Sequence, residues 1–226
     1  MLAGRSGWAV GILAGLLGLW SGIALLATIL LGAPLPAAVA LAGLVVLAGI
    51  AVIAIRSRPP DRMQIWRWVR VGLLAGLAAT LAYDASRTLL SVADPSPFNP
   101  FEAVRVFGLL LTGAAEPSPM TWAVGLTFHL LTGISFGIAY AQFFGAVAQR
   151  STKLALVSGV GWGLFLELFQ LTLYPGWLDI RFLDEFRTIS FLAHVIYGAT
   201  LGLGVRRLLR GEGSRTPTDT FSPDPR

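Results

Sequence analysis

The chain has 226 residues, of which 55% are hydrophobic and only 13% are charged. Soluble domains carry roughly 25% charged residues, so this composition excludes an ordinary soluble domain and fits a protein surrounded by lipid. The formal charge of +5 is typical of basic cytoplasmic loops and does not indicate a nucleic-acid partner. The absence of cysteine excludes disulfides, iron–sulfur clusters and thiolate metal sites.

A spanning helix needs about 20 mostly apolar residues, and the first apolar run, 8–31, satisfies this length. It is too long for the roughly 7–15-residue core of a signal peptide, so we predict a membrane helix. A tight turn at Pro34 and Pro36 leads to a second predicted helix at 35–55. The basic, proline-broken loop 56–62 follows. We therefore predict an N-terminal two-helix transmembrane hairpin with its basic loop in residues 1–65.

Four further predicted spans form a core domain at 66–210. Their ranges are 66–90, 121–147, 154–174 and 188–205, with Pro175-Gly176 expected to end the third of them. Three arginines, at 206, 207 and 210, are expected to stop the last span. The tail 211–226 is rich in proline, serine, threonine and aspartate, a composition that predicts disorder.

The segment 91–120 contains five prolines and does not fit a span. Within it, Asn99-Pro100-Phe101-Glu102 is a helix start, with Asn99 as the predicted N-cap, and apolar residues follow at helical spacing. This pattern predicts a short amphipathic helix on the outer membrane surface. The aromatic-rich segment 177–187 is a second amphipathic candidate. The predicted fold is therefore all-α: a polytopic bundle of about six spans with one or two short interfacial helices on the outer side.

Basic residues predict the orientation of the bundle. Arg5, five arginines between positions 56 and 70, Arg150, Lys153 and the C-terminal arginines all fall on one side of a six-span chain. Because lysine and arginine accumulate in cytoplasmic loops, we expect that side, and both termini, to be cytoplasmic.

Glycines spaced four residues apart occur in four of the predicted spans, for example Gly15 after Gly11, Gly76 after Gly72 and Gly202 after Gly198. Small residues at this spacing allow helix backbones to approach closely in lipid. We expect most of these faces to pack within the chain. The alternative is a homo-oligomer, or a partner in a membrane complex, that uses the glycine-rich faces.

Ionisable residues inside spans are expensive and therefore indicate a site. Each helix of the core carries one, together with polar neighbours on the same helix: Asp84 and Arg87, His129, Glu167 and Gln170, and His194 and Tyr197. At 1.5 Å per residue, all four titratable groups fall roughly 8–12 Å below the outer surface. We predict a shared polar cluster near the outer face.

Several chemistries fit this cluster. Asp84, His129, Glu167 and His194 are acceptable ligands for a divalent metal, and two histidines on different helices could hold a haem. Histidine and carboxylates can also relay protons, or act as acid and base in an intramembrane enzyme. The remaining alternative is a structural network that pairs Asp84 with Arg87, and Glu167 with one of the histidines. We expect no cofactor.

Residues 70–207 resemble the YagU-type inner-membrane proteins of bacteria. The similarity rests on the run Gly72-Leu73-Leu74-Ala75-Gly76 before Asp84, the proline-rich outer segment, the helix with His129, the glycine-rich helix entered through Lys153-Leu154, and the helix with His194 before Arg206-Arg207. The resemblance implies a four-helix core in a bacterial inner membrane and brings no activity with it. The predicted function is a non-enzymatic small-solute or proton-handling protein, or an accessory subunit. The alternative is an intramembrane enzyme or a metal- or haem-binding protein.

Overall fold

A computed structural model describes residues 5–94, 96, 98–178 and 182–213. All regular structure in these residues is α-helical. The helices in chain order are α1 (Arg5–Leu17), α2 (Trp20–Leu31), α3 (Leu35–Arg56), α4 (Pro59–Ala93), α5 (Glu102–Thr112), α6 (Pro119–Arg150), α7 (Thr152–Trp177) and α8 (Leu183–Gly213). Helices α3, α4, α6, α7 and α8 are each long and apolar enough to cross a membrane. The predicted helical transmembrane bundle is confirmed.

The first predicted span is not one straight helix. It consists of α1 and α2, whose axes differ by 55°, and the bundle has six spans when this bent pair is counted as one. At the bend, the N–H of Leu19 bonds the carbonyl of Leu16, three residues back, as in a tight 3₁₀ turn. A Cβ added to Gly18 would meet backbone atoms of Ser135 and Ala139 in α6. The bend therefore occurs where the chain presses directly against α6.

Several helices extend past their predicted ends. Helix α4 begins at Pro59, within the predicted loop 56–62, because prolines are tolerated in the first turn, where no N–H partner is needed. Helix α7 continues through Pro175 to Trp177, so the predicted stop there is wrong. Only the last turn is affected, and its aromatic residue Trp177 packs against Tyr174. Helix α8 runs to Gly213, and the rest of the predicted disordered tail, 214–226, lies outside the described residues.

The short amphipathic helix is present as α5, and it lies lengthwise along the first half of α6. A Cβ on Gly108 would collide with the carbonyl of Thr121, and one on Gly125 would collide with the carbonyl of Val104, so the two helices are antiparallel. Its N-cap is Phe101, not Asn99. The Asn99 side chain instead accepts the N–H of Phe101 at 3.0 Å. The second amphipathic candidate, 177–187, is divided between α7, α8 and residues 179–181, which are not described.

Two ends of the bundle are distinguished by composition. The arginine-rich end contains the α3–α4 and α6–α7 junctions and the last turns of α8, with Arg56, Arg150, Lys153 and Arg206. The proline-rich end contains the α5 region and the α7–α8 junction. In the arginine-rich half, α4 packs on α6 through Gly72, Gly76 and Gly137, and α7 packs on α8 through Gly159, Gly198 and Gly202. Added Cβ atoms at these glycines would collide with backbone atoms, so the helices there are in direct backbone contact.

Helices α1 to α3 flank this core. Helix α1 reaches α6 through Gly15, which lies against the ring of Phe143, and α2 is joined to α6 by a hydrogen bond between Ser21 and Ser135. Helix α3 exposes most of its apolar side chains, and only 11% of its most apolar stretch is buried. An apolar surface of this kind is stable only in lipid. The chain is a multi-pass membrane protein.

Candidate functional site

The four ionisable residues singled out in the core form two pairs, each between neighbouring helices. Asp84 on α4 faces His129 on α6, and Glu167 on α7 faces His194 on α8. The suggested pairing of Asp84 with Arg87 is not formed, although a spacing of three residues on a helix permits it. Asp84 is turned toward His129 on α6, and the Arg87 guanidinium lies over aromatic rings. The suggested pairing of Glu167 with a histidine is formed with His194.

In the first pair, Nε2 of His129 lies 2.9 Å and 3.1 Å from the two carboxylate oxygens of Asp84. Both side chains retain about 15% of their exposure. Because both partner atoms belong to a carboxylate, the proton in this contact is placed on Nε2. This contact leaves Nδ1 of His129 available to another partner.

The second pair is more deeply buried and belongs to a network. Nδ1 of His194 lies 2.6 Å from Oε2 of Glu167 and 3.0 Å from the carbonyl oxygen of Ser190. Both partners are acceptors, so Nδ1 carries a proton and Nε2 remains available. The hydroxyl of Ser190 donates to Glu167 at 2.8 Å, and the amide of Gln170 donates to Ser190 at 2.7 Å. Gln170 on α7 is therefore joined to Glu167 through the hydroxyl of Ser190.

One carboxylate oxygen in this network is unused. Oε1 of Glu167 is buried and has no hydrogen-bond partner among the described residues. A buried polar atom without a partner costs roughly 1–3 kcal/mol.

Tyr83 connects the two pairs. Its ring centroid is 4.8 Å from that of His194, in an edge-on arrangement, and 6.2 Å from that of His129. Because Tyr83 is only 5% exposed, the two carboxylate–imidazole pairs are parts of one buried cluster.

A cavity of about 90 Å³ lies beside this cluster. Both imidazoles and the ring of Tyr83 contribute to its wall. The other lining residues are Thr80, Thr132, Gly133, Phe136, Leu166 and Tyr197. Its volume corresponds to roughly three water molecules at liquid density, which is enough for a small polar group.

The two remaining predicted site residues have different surroundings. Tyr197 lines the cavity and donates its hydroxyl to the carbonyl of Gly133 at 3.0 Å, which joins α8 to α6. The guanidinium of Arg87 lies over the rings of Tyr83 and Phe101, at 4.9 Å and 5.5 Å from their centroids. Arg87 therefore closes the cluster on the side of the proline-rich end through cation–π contacts.

The predicted metal site of Asp84, His129, Glu167 and His194 is not assembled. Within the described part of the chain, no three histidine, aspartate or glutamate side chains come together as a group that could hold an ion. The physical reason is that each carboxylate is already committed to its own histidine and the ring of Tyr83 stands between the pairs. The cavity of about 90 Å³ is also much too small for a haem between the two imidazoles.

An arrangement for serine-based nucleophilic catalysis is also not formed. In such a site the serine hydroxyl and the carboxylate bond opposite nitrogens of one imidazole. Here the hydroxyl of Ser190 is 3.5 Å from Nδ1 of His194, the same nitrogen that faces Glu167, and it donates to that carboxylate. Ser190 positions the pair.

Three residues of the site were not identified from the sequence. Ser190 lies one helical turn before His194, a spacing that places both on the same face of α8. Thr80 lies one turn before Asp84 in the same way. Tyr83 is adjacent in sequence to Asp84, and its role depends on how α4 is rotated against α8, which the sequence of α4 alone does not specify.

No protein-family model, curated protein or solved structure matches this chain. The resemblance to the YagU-type proteins stays a prediction.

Proposed function

We propose that the protein is a non-enzymatic membrane protein that binds a small hydrogen-bonding group in the cavity between His129 and His194. The observation that carries the proposal is that imidazoles from two separate helix pairs line the same cavity, each oriented by its own carboxylate. Carboxylates that hold one nitrogen of a histidine fix its tautomer and leave the other nitrogen for a ligand. A purely structural network would not need such a cavity.

The chemistry of the free nitrogens indicates the kind of group. In a neutral imidazole whose N–H points to a carboxylate, the other nitrogen is an acceptor. A group that donates a hydrogen bond, such as a hydroxyl, is therefore complementary to the cluster, and the cavity volume limits it to a few heavy atoms.

Packing in the arginine-rich half favours binding over conduction through the membrane. Between the cavity and that end, α4 and α6 are in backbone contact at Gly76 and Gly137, and Tyr140 is fully buried with its hydroxyl 2.8 Å from Ser158. A proton or solute path would have to pass this layer. The site is better suited to exchange with the proline-rich side or with the surrounding lipid.

The test uses the two histidines as reporters, because the chain contains only two. Full-length protein with ¹⁵N-labelled histidine, freed of any histidine tag, is titrated with 1-butanol in lipid nanodiscs. We expect saturable changes in the ring-nitrogen signals of both histidines. n-Pentane, which has the same number of heavy atoms and no hydroxyl, should not produce them. Identical responses to both probes, or none to butanol, would contradict the proposal.

One observation favours a second function, acid–base catalysis inside the membrane. The Glu167–His194 pair, with Nδ1 held at 2.6 Å and Nε2 free, is the arrangement of an oriented general base. His194→Gln separates the two functions, because an amide can keep a hydrogen bond to a ligand but cannot carry a proton. Retained butanol binding with loss of any turnover would indicate the enzyme.

For location, we propose a bacterial inner membrane with the arginine-rich end in the cytoplasm. The distribution of basic residues and the resemblance to the YagU-type proteins support this orientation. The glycine faces of α4, α6, α7 and α8 are used within the chain, whereas an added Cβ on Gly11 of α1 would meet nothing within 4 Å. If the protein forms a homo-oligomer, we propose α1 as its contact.

A further inference from the structure

A second, larger cavity lies next to the polar one and is almost entirely apolar. It is a groove of about 160 Å³ whose walls come from α2 and α7 and whose floor comes from α6. Its apolar lining includes Leu19, Ile23, Leu26, Ile29, Phe136, Phe165, Leu166, Phe169 and Leu173. Ile23, Phe165 and Phe169 are substantially exposed on it. Because α2, α6 and α7 belong to spans, the medium at the mouth of this groove is the hydrocarbon of the bilayer.

The groove and the polar cavity are neighbours with shared walls. Thr132, Phe136 and Leu166 line both of them. Gln170 and Tyr174 line the groove, and Gln170 donates to Ser190, which in turn donates to Glu167. A ligand lying in the groove would therefore have an apolar wall along its length and the carboxylate–imidazole cluster at one side.

We infer that the occupant is a single-chain amphiphile with a small hydroxyl end group, which enters sideways from the bilayer between α2 and α7. Its hydrocarbon chain lies in the apolar groove, and its hydroxyl enters the cavity of His129 and His194. The inference rests on the proposed function, since that cavity must bind a hydrogen-bonding group. It adds the ligand class and the route of entry.

Size and polarity together select this class. Lipid hydrocarbon is as apolar as the groove, so a chain that enters from the bilayer is held there by close dispersion contacts with the groove walls. The polar cavity of about 90 Å³ is too small for a phosphoglycerol headgroup, but it accommodates a hydroxyl and its first carbons. A water-soluble solute would gain nothing from the groove, and a pure hydrocarbon would leave the imidazole nitrogens that line the polar cavity without a partner.

The inference is tested by photolabelling of the full-length protein in phosphatidylcholine nanodiscs. The probe is 1-hexadecanol with a diazirine in the middle of its chain, and labelled positions are located by peptide mass spectrometry. We expect labels concentrated on α2 and α7 around Leu26 and Leu173, with few on α3, which exposes more apolar surface but does not line the groove.

Groove-filling variants provide the control. Leu26→Trp should remove the concentrated labelling, because Leu26 lines the groove and the larger indole ring would occupy its volume. Leu30→Trp, one turn along the same helix and outside the groove, should leave it unchanged. On α7, the opposite wall, Leu173→Trp fills the groove and Leu168→Trp is the control outside it. Agreement between the α2 and α7 variants would show that the loss of labelling does not come from misfolding of α2.

The polar end is tested by His194→Leu, which cannot hydrogen-bond a hydroxyl, and by a diazirine hexadecane without the hydroxyl. We expect the substitution to weaken labelling by the alcohol and to leave labelling by the hydrocarbon unaffected. Uniform labelling of all lipid-facing helices that Leu26→Trp does not change would overturn the inference. If the histidine signals still respond to 1-butanol in that case, the proposed function stands and only the lateral ligand is wrong. If they do not respond, both are wrong.

Discussion

Nδ1 of His194 lies 2.6 Å from Oε2 of Glu167 and joins α8 to α7 at a point where both side chains are almost fully buried. Ser190 and Gln170 extend the contact to a chain of four polar groups. Because hydrocarbon surrounds the bundle, these buried polar atoms must satisfy one another, and the carbonyl of Ser190 is a second acceptor for Nδ1 of His194 at 3.0 Å. The pair therefore both stabilises the helix contact and fixes the tautomer of the imidazole.

Removal of this carboxylate should destabilise the protein strongly. We expect Glu167→Ala to cost about 3–5 kcal/mol, because it removes the carboxylate beside Nδ1 of His194 and leaves the buried hydroxyl of Ser190 without its acceptor. Glu167→Gln should cost less because the amide oxygen still accepts. Thermal unfolding in detergent, followed by near-UV circular dichroism, measures both. Asp184→Asn is the matched control, since Asp184 is an exposed carboxylate on α8, and it should leave the transition unchanged. Equal effects of Glu167→Ala and Asp184→Asn would show that the pair contributes nothing.

Tyr83 should couple the two pairs energetically. Asp84→Asn and Glu167→Gln are on different helices and have no direct contact, so independent pairs would give additive changes in stability within roughly 0.5 kcal/mol. We expect a coupling larger than this in the wild-type background and its loss in the background of Tyr83→Leu, which removes the aromatic ring from between the two imidazoles. Coupling of the same size in both backgrounds would assign the connection to another route.

Two glycines on α7 should respond very differently to the same substitution. Gly159 is in backbone contact with Gly198 and Gly202, whereas an added Cβ on Gly161 meets nothing within 4 Å. We expect Gly159→Ala to destabilise the α7–α8 contact by about 1–3 kcal/mol, as overpacking does. Gly161→Ala should be neutral or slightly stabilising because alanine favours helix. The unfolding midpoints of the two variants test this prediction. Equal midpoints would argue against the close approach of α7 and α8 at Gly159.

Labelling of introduced cysteines tests the orientation of the protein in the membrane. Because the sequence contains no cysteine, each variant carries a single reactive thiol. We expect Pro59→Cys and Thr152→Cys, at the arginine-rich end, to react with a membrane-impermeant maleimide only after the cells are opened. Ala115→Cys, in the exposed connection between α5 and α6, should react in intact spheroplasts. Reaction of Cys at position 59 from outside would invert the topology.

The spans and their polar residues could be predicted because their signals are local. A long apolar run predicts a membrane span from the sequence of that segment alone. A histidine or carboxylate within such a run can be recognised without knowing which helices pack against it. The prediction that four helices contribute to one cluster rested on equal depth. In the structure the ring of Tyr83 lies between the two histidines, with centroids 4.8 Å from His194 and 6.2 Å from His129.

The pairing within the cluster could not be read in the same way. The predicted depth of Asp84 in the membrane is the same as that of His129, Glu167 and His194, so depth alone does not select its partner. The rotation of α4 about its own axis turns Asp84 toward α6. That rotation is determined by backbone contact at Gly72 and Gly137, a property of two helices together. The bend at Gly18 and the continuation of α7 through Pro175 were missed for the same reason, because tertiary contacts outweighed the local preference.

The tautomers of the two histidines provide the most direct test of the site. Solid-state NMR of ¹⁵N-histidine protein, with each signal assigned by His129→Asn and His194→Asn, reports which ring nitrogens carry protons. The geometry predicts a protonated Nε2 in His129 and a protonated Nδ1 in His194, because these atoms face the carboxylates. An unprotonated Nδ1 in His194, or an unprotonated Nε2 in His129, would contradict the carboxylate–imidazole pairs on which the proposed binding site depends.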